Sequence, residues 1–210
     1  MTDKPAVPMP MFPLGTVLFP YAPLPLHVFE ARYRQLTEDC LRGNNEFGVV
    51  LIERGHEVGG GDARYGVGTV ARIVEAASFP DGRWALITIG DRRIRIRTWL
   101  PDDPYPVALV EDLDDGPFDP ADLTALGGAE RTVRRALALQ AELEEPSVPA
   151  TAELDGDPER AAYQLAAFAP IGPADKQEVL EASTWRERIN LVAELAAAAG
   201  EMFAYRLSAG

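Results

Sequence analysis

Residue types that carry covalent or metal chemistry are scarce in this 210-residue chain. Histidine occurs only at His27, among prolines, and at His56, in a glycine-rich stretch. A catalytic triad or a histidine metal site needs groups converging on one point, and these two positions offer no such pattern. Cys40 is the single cysteine, which excludes an intramolecular disulfide and a cysteine metal cluster. It falls on the apolar face of a helical pattern, where a small buried hydrophobe is expected; a reactive thiol needs an exposed, electropositive setting. Lysine is limited to Lys4 and Lys176, and the phosphate-loop pattern G-x-x-x-x-G-K-[ST] is missing, as are G-x-S-x-G and H-E-x-x-H. The glycines at 59–61 lack the helix and the Lys-Ser/Thr that would make a nucleotide cradle. The acidic run after Glu111 lacks calcium-loop spacing. The expectation is therefore no enzyme, no cofactor and no metal.

Binding chemistry is better represented. The run R-R-I-R-I-R (92–97) is the sharpest alternation in the chain. On a strand of period two, Arg93, Arg95 and Arg97 share one face and Ile94 and Ile96 the other. That face reads either as an anion or nucleic-acid ridge or as the solvated side of a half-buried strand. Tyr65, Trp84 and Trp99 fall on strand-like segments and join the three arginines as candidate contact residues. The formal net charge is −13. A nucleic-acid binder gains affinity by releasing counterions from phosphates, so this balance disfavours nucleic acid, and it disfavours anionic membrane surfaces equally. No apolar run approaches 18 residues free of charge or proline, and the first residues are not a secretory leader; we expect a cytoplasmic protein with no membrane partner.

The elements that must position these residues begin with Met11–Tyr33. Val17, Leu18 and Phe19 favour extended structure. Pro20, Pro23 and Pro25 then bar both helix and central strand. Phe29, Tyr33, Leu36 and Cys40 follow at helical spacing, and Gly43-Asn44 stops the pattern. Residues 1–10 are proline-rich and expected to fray. Strands are expected at Phe47–Ile52, Tyr65–Ala76, Trp84–Thr98 and Pro106–Leu113. Glu53–Asp62 reads as a loop, Pro80-Asp81-Gly82 as a hairpin turn, and Gly90-Asp91 as a bend or turn. No Lys or Arg occurs between Thr98 and Glu130, and Gly116-Pro117 and Asp119-Pro120 punctuate this acidic stretch. A domain boundary is expected there, giving a β-rich unit over 1–118 and an α-helical unit over 119–210. Helices are expected over Ala129–Glu145, after Asp157-Pro158, over Ala174–Glu181, and after the capping pattern Thr184…Glu187. The fold class is α+β.

The ordered motifs carry a resemblance. F-P-L-G-T-V-L-F-P (12–20), P-L-H-V-F-E-A-R-Y (25–33), Y-G-V-G-T-V-A-R-I (65–73), D-G-R-W-A-L-I-T-I-G-D-R-R-I-R-I (81–96), K-Q-E-V-L-E (176–181) and W-R-E-R-I-N-L-V (185–192) together resemble the N-terminal, substrate-binding domain of the Lon protease family. The similarity spans about residues 10 to 200. It implies an N-terminal PUA-like β pseudo-barrel with a covering helix, followed by a C-terminal helical bundle. It also implies recognition of unfolded or partner polypeptide, in association with a protease or chaperone, without ATP hydrolysis or proteolysis. Ala31 stands where the family often has proline. Glu30, Arg32 and Tyr33 match, and their implied task is to fix the helix on the barrel. Two alternatives stay open: an RNA-binding PUA-like module and a small-molecule sensor.

Overall fold

The computed structural model describes residues 5–54, 63–146 and 148–209. Residues 55–62, with His56 and most of the expected loop, lie outside the described residues. The chain divides into two compact units, Met1–Asp114 and Asp115–Gly210. Among the described residues they hold a six-stranded sheet and five helices, an α+β composition.

The first unit holds β1 (Val7–Leu14), β2 (Pro23–Val28), α1 (Ala31–Arg42), β3 (Glu46–Arg54), β4 (Ala63–Ser78), β5 (Trp84–Trp99) and β6 (Val107–Asp112). The strand order is β2-β5-β4-β3-β1-β6, and β6 also pairs with β5. Five strands therefore form a closed hydrogen-bonded circuit, and β2 is attached to it through β5 alone. Two strands are shared. β1 pairs antiparallel with β6 over Val7–Pro10 and parallel with β3 over Met11–Leu14. β5 pairs with β2 over Trp84–Ile89 and with β6 over Ile94–Trp99.

Gly90 sits where β5 changes partner. Its amide donates to the Ala22 oxygen at 2.9 Å and its oxygen accepts from Tyr21 at 2.7 Å. A Cβ at this position would stand 2.1 Å from the Phe19 carbonyl oxygen, so no other residue fits without moving backbone. The expected bend at Gly90-Asp91 is thus a change of neighbours within one continuous strand.

Three local expectations are corrected. Residues 7–10 are a strand and not a frayed end: Pro8 and Pro10, two apart, turn their ring nitrogens to the same side, leaving the other side to pair with β6. Leu18 and Phe19 are buried, yet Val17–Phe19 form no strand. Phe29 lies outside α1, whose buried face is Tyr33, Leu36, Thr37 and Cys40. Glu30, with an extended backbone (ψ 137°), is the N-cap, so the helical period begins only after it. α1 packs on the sheet by stacking Tyr33 on Phe12, ring centroids 4.0 Å apart.

The second unit holds α2 (Asp122–Glu142), α3 (Pro158–Phe168), α4 (Pro173–Glu181) and α5 (Trp185–Ala209). α2 begins seven residues before its expected start at Ala129, running through Gly127-Gly128 because Ala129 and Val133 bury a face in this unit. The caps behave as their residue types dictate. Asp157 accepts from Glu159 and Arg160 amides at 3.0 and 3.1 Å. Thr184 Oγ1 accepts from the Glu187 amide at 3.2 Å, while Glu187 Oε2 accepts from Ser183 at 3.0 Å.

At the centre of this unit Arg188 is fully buried. Its guanidinium lies 4.8 Å from the ring centroids of both Tyr163 and Trp185. It donates to Asp115 Oδ1 at 3.1 Å and to the Ala182 oxygen at 2.9 Å. Tyr163 donates to Asp115 Oδ2 at 2.6 Å, and Trp185 Nε1 donates to the Gly116 oxygen at 3.1 Å. The acidic connector is thereby pinned to the helices.

Two stability predictions follow from this geometry. Gly90→Ala should lower unfolding free energy by about 2 kcal/mol, because the overlap is with backbone, whereas Gly66→Ala, which meets nothing within 4 Å, should stay within about 0.5 kcal/mol of the parent. Arg188→Ala should cost about 3 kcal/mol, since it leaves the Asp115 carboxylate without its cation and opens a space beside the Tyr163 and Trp185 rings. Urea unfolding followed by tryptophan fluorescence measures both.

Candidate functional site

β2 ends the sheet and pairs only with β5. Because Ala22 turns its oxygen to Gly90, the even-numbered residues that follow turn their peptide groups to β5 as well. Pro23, Pro25 and His27 face the open side. Two of these have no N–H, so the open edge offers carbonyl oxygens and one donor, at His27.

Beyond this edge the chain presents aromatic surface. Val28 is buried, and the next residue, Phe29, is 57% exposed. Phe79, at the shoulder of the β4–β5 turn, is 44% exposed. That turn is held by hydrogen bonds from Phe79 to the Arg83 oxygen (2.8 Å) and from Gly82 to the Phe79 oxygen (2.9 Å), with Gly82 at φ +82°. A groove of about 300 Å³ runs between these elements, lined by His27, Phe29, Phe79, Arg83 and Trp84. A second groove of about 200 Å³ shares His27, Val28 and Phe29 and continues over Phe12, Leu14 and Tyr33. Phe29 stands in the wall of both. The site is apolar and nearly uncharged: Arg83 is paired with Asp81 at 2.7 Å and Glu30 with Arg32 at 3.1 Å. Such a surface can take up large apolar side chains, with His27 in the walls of both grooves and Glu30 in the second as polar groups beside them.

The cysteine, Lys176 and the Tyr105 hydroxyl are committed elsewhere. Cys40 is buried, with Sγ 3.3 Å from the Glu46 oxygen; burial, and secondarily the Asp39 charge, push its thiol up to about 12. Tyr105 donates to Asp39 Oδ2 at 2.9 Å, and burial followed by this bond raises its hydroxyl to about 12. Lys176 donates to the Ala167 oxygen at 2.7 Å, and burial lowers its pKa. Among the described residues no group of His, Cys, Asp and Glu could hold a metal ion, and no helix is long and apolar enough to cross a membrane.

The six residues singled out in the sequence do not converge. Trp84 begins β5 and lines the aromatic groove. Trp99 ends the same strand and, with Tyr65, packs on the separate cluster of Met9, Met11, Val70 and Ile94. The Arg64 guanidinium lies over the Trp99 ring at 4.3 Å. Arg93 is buried at 2% exposure, so the expected row of three outward arginines is corrected to two. Its backbone oxygen accepts from Leu113, which brings the chain back over this end of β5. Arg97 is paired with Glu111 and Arg95 is exposed. Phe29, Phe79 and His27 were missed. The signal for Phe79 was an aromatic directly before a Pro-Asp-Gly turn; Phe29 was hidden by helical spacing to Tyr33.

Comparison with known proteins gives the class. The family model described as the ATP-dependent protease La (LON) substrate-binding domain matches residues 8–198. The chain belongs to this family. It is 32% identical over 201 residues to the Lon protease of Anaeromyxobacter dehalogenans, covering 92% of this chain and 23% of that one. Lon protease 2 of Myxococcus xanthus is likewise 32% identical, over 92% of this chain and 24% of its own length. The chain thus spans about a quarter of the length of these curated relatives. A crystal structure of a Lon N-terminal domain protein from Xanthomonas campestris aligns with TM-score 0.64 and 25% identity, over 90% of this chain and 98% of that one. The N-terminal domain of the Mycobacterium avium complex Lon protease shares the fold at 14% identity and TM-score 0.64.

The raised acids set an alkaline limit on stability. In the unfolded chain Cys40 and Tyr105 ionise near 9.0 and 10.0, and in the folded chain near 12. The folded state holds more protons between these values, so their stabilisation is complete below pH 9 and lost as pH rises toward 12. The urea midpoint should fall above pH 9, and Cys40→Ala should flatten that fall. Native Cys40 should stay unlabelled by a thiol reagent at pH 8.5 and react on unfolding.

Proposed function

We propose that this protein is a non-catalytic recognition module that binds unfolded or partner polypeptide through the two-chambered aromatic groove around Phe29. The observation that carries the reading is the exposure of Phe29 and Phe79 over apolar chambers that Trp84 and Phe12 line. Burying large aromatic side chains contributes about 1.5–3 kcal/mol each, enough for weak, reversible capture of a flexible chain. Membership in a substrate-binding family supports the same reading. In it, the closed strand circuit with α1 is a PUA-like pseudo-barrel, and α2–α5 are the helical bundle. The two-domain division over 1–118 and 119–210 belongs to this reading too, and the compact-unit limit at Asp114/Asp115 lies close to it. The working site is cytoplasmic, and captured chains pass to a protease or chaperone. Of the residues picked from sequence, Trp84 is the contributor we retain; Tyr65, Trp99, Arg93, Arg95 and Arg97 serve packing and surface charge.

Recognition runs through side chains more than main chain. Adding a strand to β2 would need donors that Pro23 and Pro25 lack. RNA binding has little support, because Arg93 is buried and Arg97 is neutralised by Glu111.

The test is binding of a fluorescein-labelled, permanently unfolded polypeptide by anisotropy. Phe29→Ser with Phe79→Ser should weaken it roughly tenfold or more while leaving the urea midpoint nearly unchanged, both residues being exposed. A short apolar client peptide should bind equally after backbone N-methylation. Unchanged affinity in the double variant refutes the site, and loss on N-methylation refutes the side-chain mode.

A further inference from the structure

The helical unit contains a further groove, unlike the aromatic pair in its chemistry. It lies along the seam of α2 and α5 and measures about 550 Å³. Its walls are Gly128, Arg131 and Arg135 on α2, and Gly200, Glu201 and Ala204 on α5. The α2 positions recur at three- and four-residue spacing, and the α5 positions do the same, so each helix contributes one continuous stripe.

The charges on this seam are unusual for their surroundings. Elsewhere in the unit Arg134, Arg160, Arg186, Arg188 and Arg206 each have a carboxylate partner. Arg131 and Arg135 have none among the described residues, although the whole chain carries a net charge of −13. Both are exposed and stand one helical turn apart. The Arg131 guanidinium lies over the bare backbone of Gly127 and Gly128, where added Cβ atoms would be 3.8 and 3.9 Å from its nitrogens. The floor is small: Gly200 meets Ala136 so closely that its Cβ position is 3.6 Å from the Ala136 Cβ. Two helices that meet over alanine and glycine leave a shallow trough in which a third helix can come to the usual 8–10 Å axial distance.

We infer that this seam docks an acidic α-helical segment of a partner protein. Carboxylates four residues apart on that segment would meet Arg131 and Arg135, and small side chains on its inner face would meet the glycine-alanine floor. At physiological ionic strength, charges beyond about 8 Å are largely screened, so the local charges govern contact; Arg131 and Arg135 outnumber Glu201, the carboxylate in the walls, and leave the seam net positive despite the chain's overall sign. This inference is independent of the aromatic groove, which lies in the other unit.

The experiment uses the full chain and a fluorescein-labelled, end-blocked alanine-rich peptide of about 20 residues, long enough to be helical. Its glutamates are spaced four apart on one stripe. Anisotropy should show binding that weakens with salt. Arg131→Glu with Arg135→Glu should reduce affinity roughly tenfold or more, with the urea midpoint little changed because both side chains are exposed. The same peptide with lysine for glutamate should bind the reversed variant and not the parent. Three outcomes overturn the inference: no binding of the acidic peptide, equal binding by parent and reversed variant, or equal binding of a proline-interrupted peptide of the same charge. A concentration-dependent dimer of the parent, abolished by the reversal and displaced by no peptide, would instead assign the seam to a second copy and overturn it too.

Discussion

One strand must serve two neighbours on the same side, and the first unit is arranged around that requirement. β5 gives its first half to β2 and its second half to β6. The exchange is possible only because the Phe19 carbonyl can press against a residue without a side chain at Gly90. If that approach were lost, the carbonyl would have to retreat, and β2 would lose its anchor at Ala22 and Tyr21. Trp84, His27 and Phe29 all hang on the β2–β5 pairing, so the aromatic groove is set by a contact some distance from it along the strand.

The second unit solves a different problem. Its connector is rich in aspartate and could easily have remained a solvated tether. Arg188 draws it in, with one carboxylate, one carbonyl and two aromatic faces around a single guanidinium. A planar cation suits this place because it can lie against aromatic rings while donating from its edge. The same unit leaves Arg131 and Arg135 outside, so arginine serves there both as an internal clamp and as surface charge.

Much of this was legible in the residue order. Alternation gave β4 and β5, Asp157-Pro158 gave the start of α3, and Thr184 with Glu187 gave the start of α5. The family emerged from motif order, and no single motif would have sufficed. What was hidden depended on contacts distant in sequence. Pro8 and Pro10 look like a disordered end until β6 supplies a partner on their free side. Phe29 has helical spacing to Tyr33, but the extended backbone of Glu30 removes it from the helix and turns it outward. Arg93 reads as solvated by alternation alone, yet it is buried, at a point where its backbone oxygen meets the Leu113 amide twenty residues on. The groove is likewise invisible locally, because it joins the end of β2 to a turn fifty residues later.

Pro23 and Pro25 have one more effect. An open strand rim copies itself readily onto any extended neighbour, which is a route to fibrils. Here that rim is missing two of its amide hydrogens, so another molecule of the protein has little to zip onto.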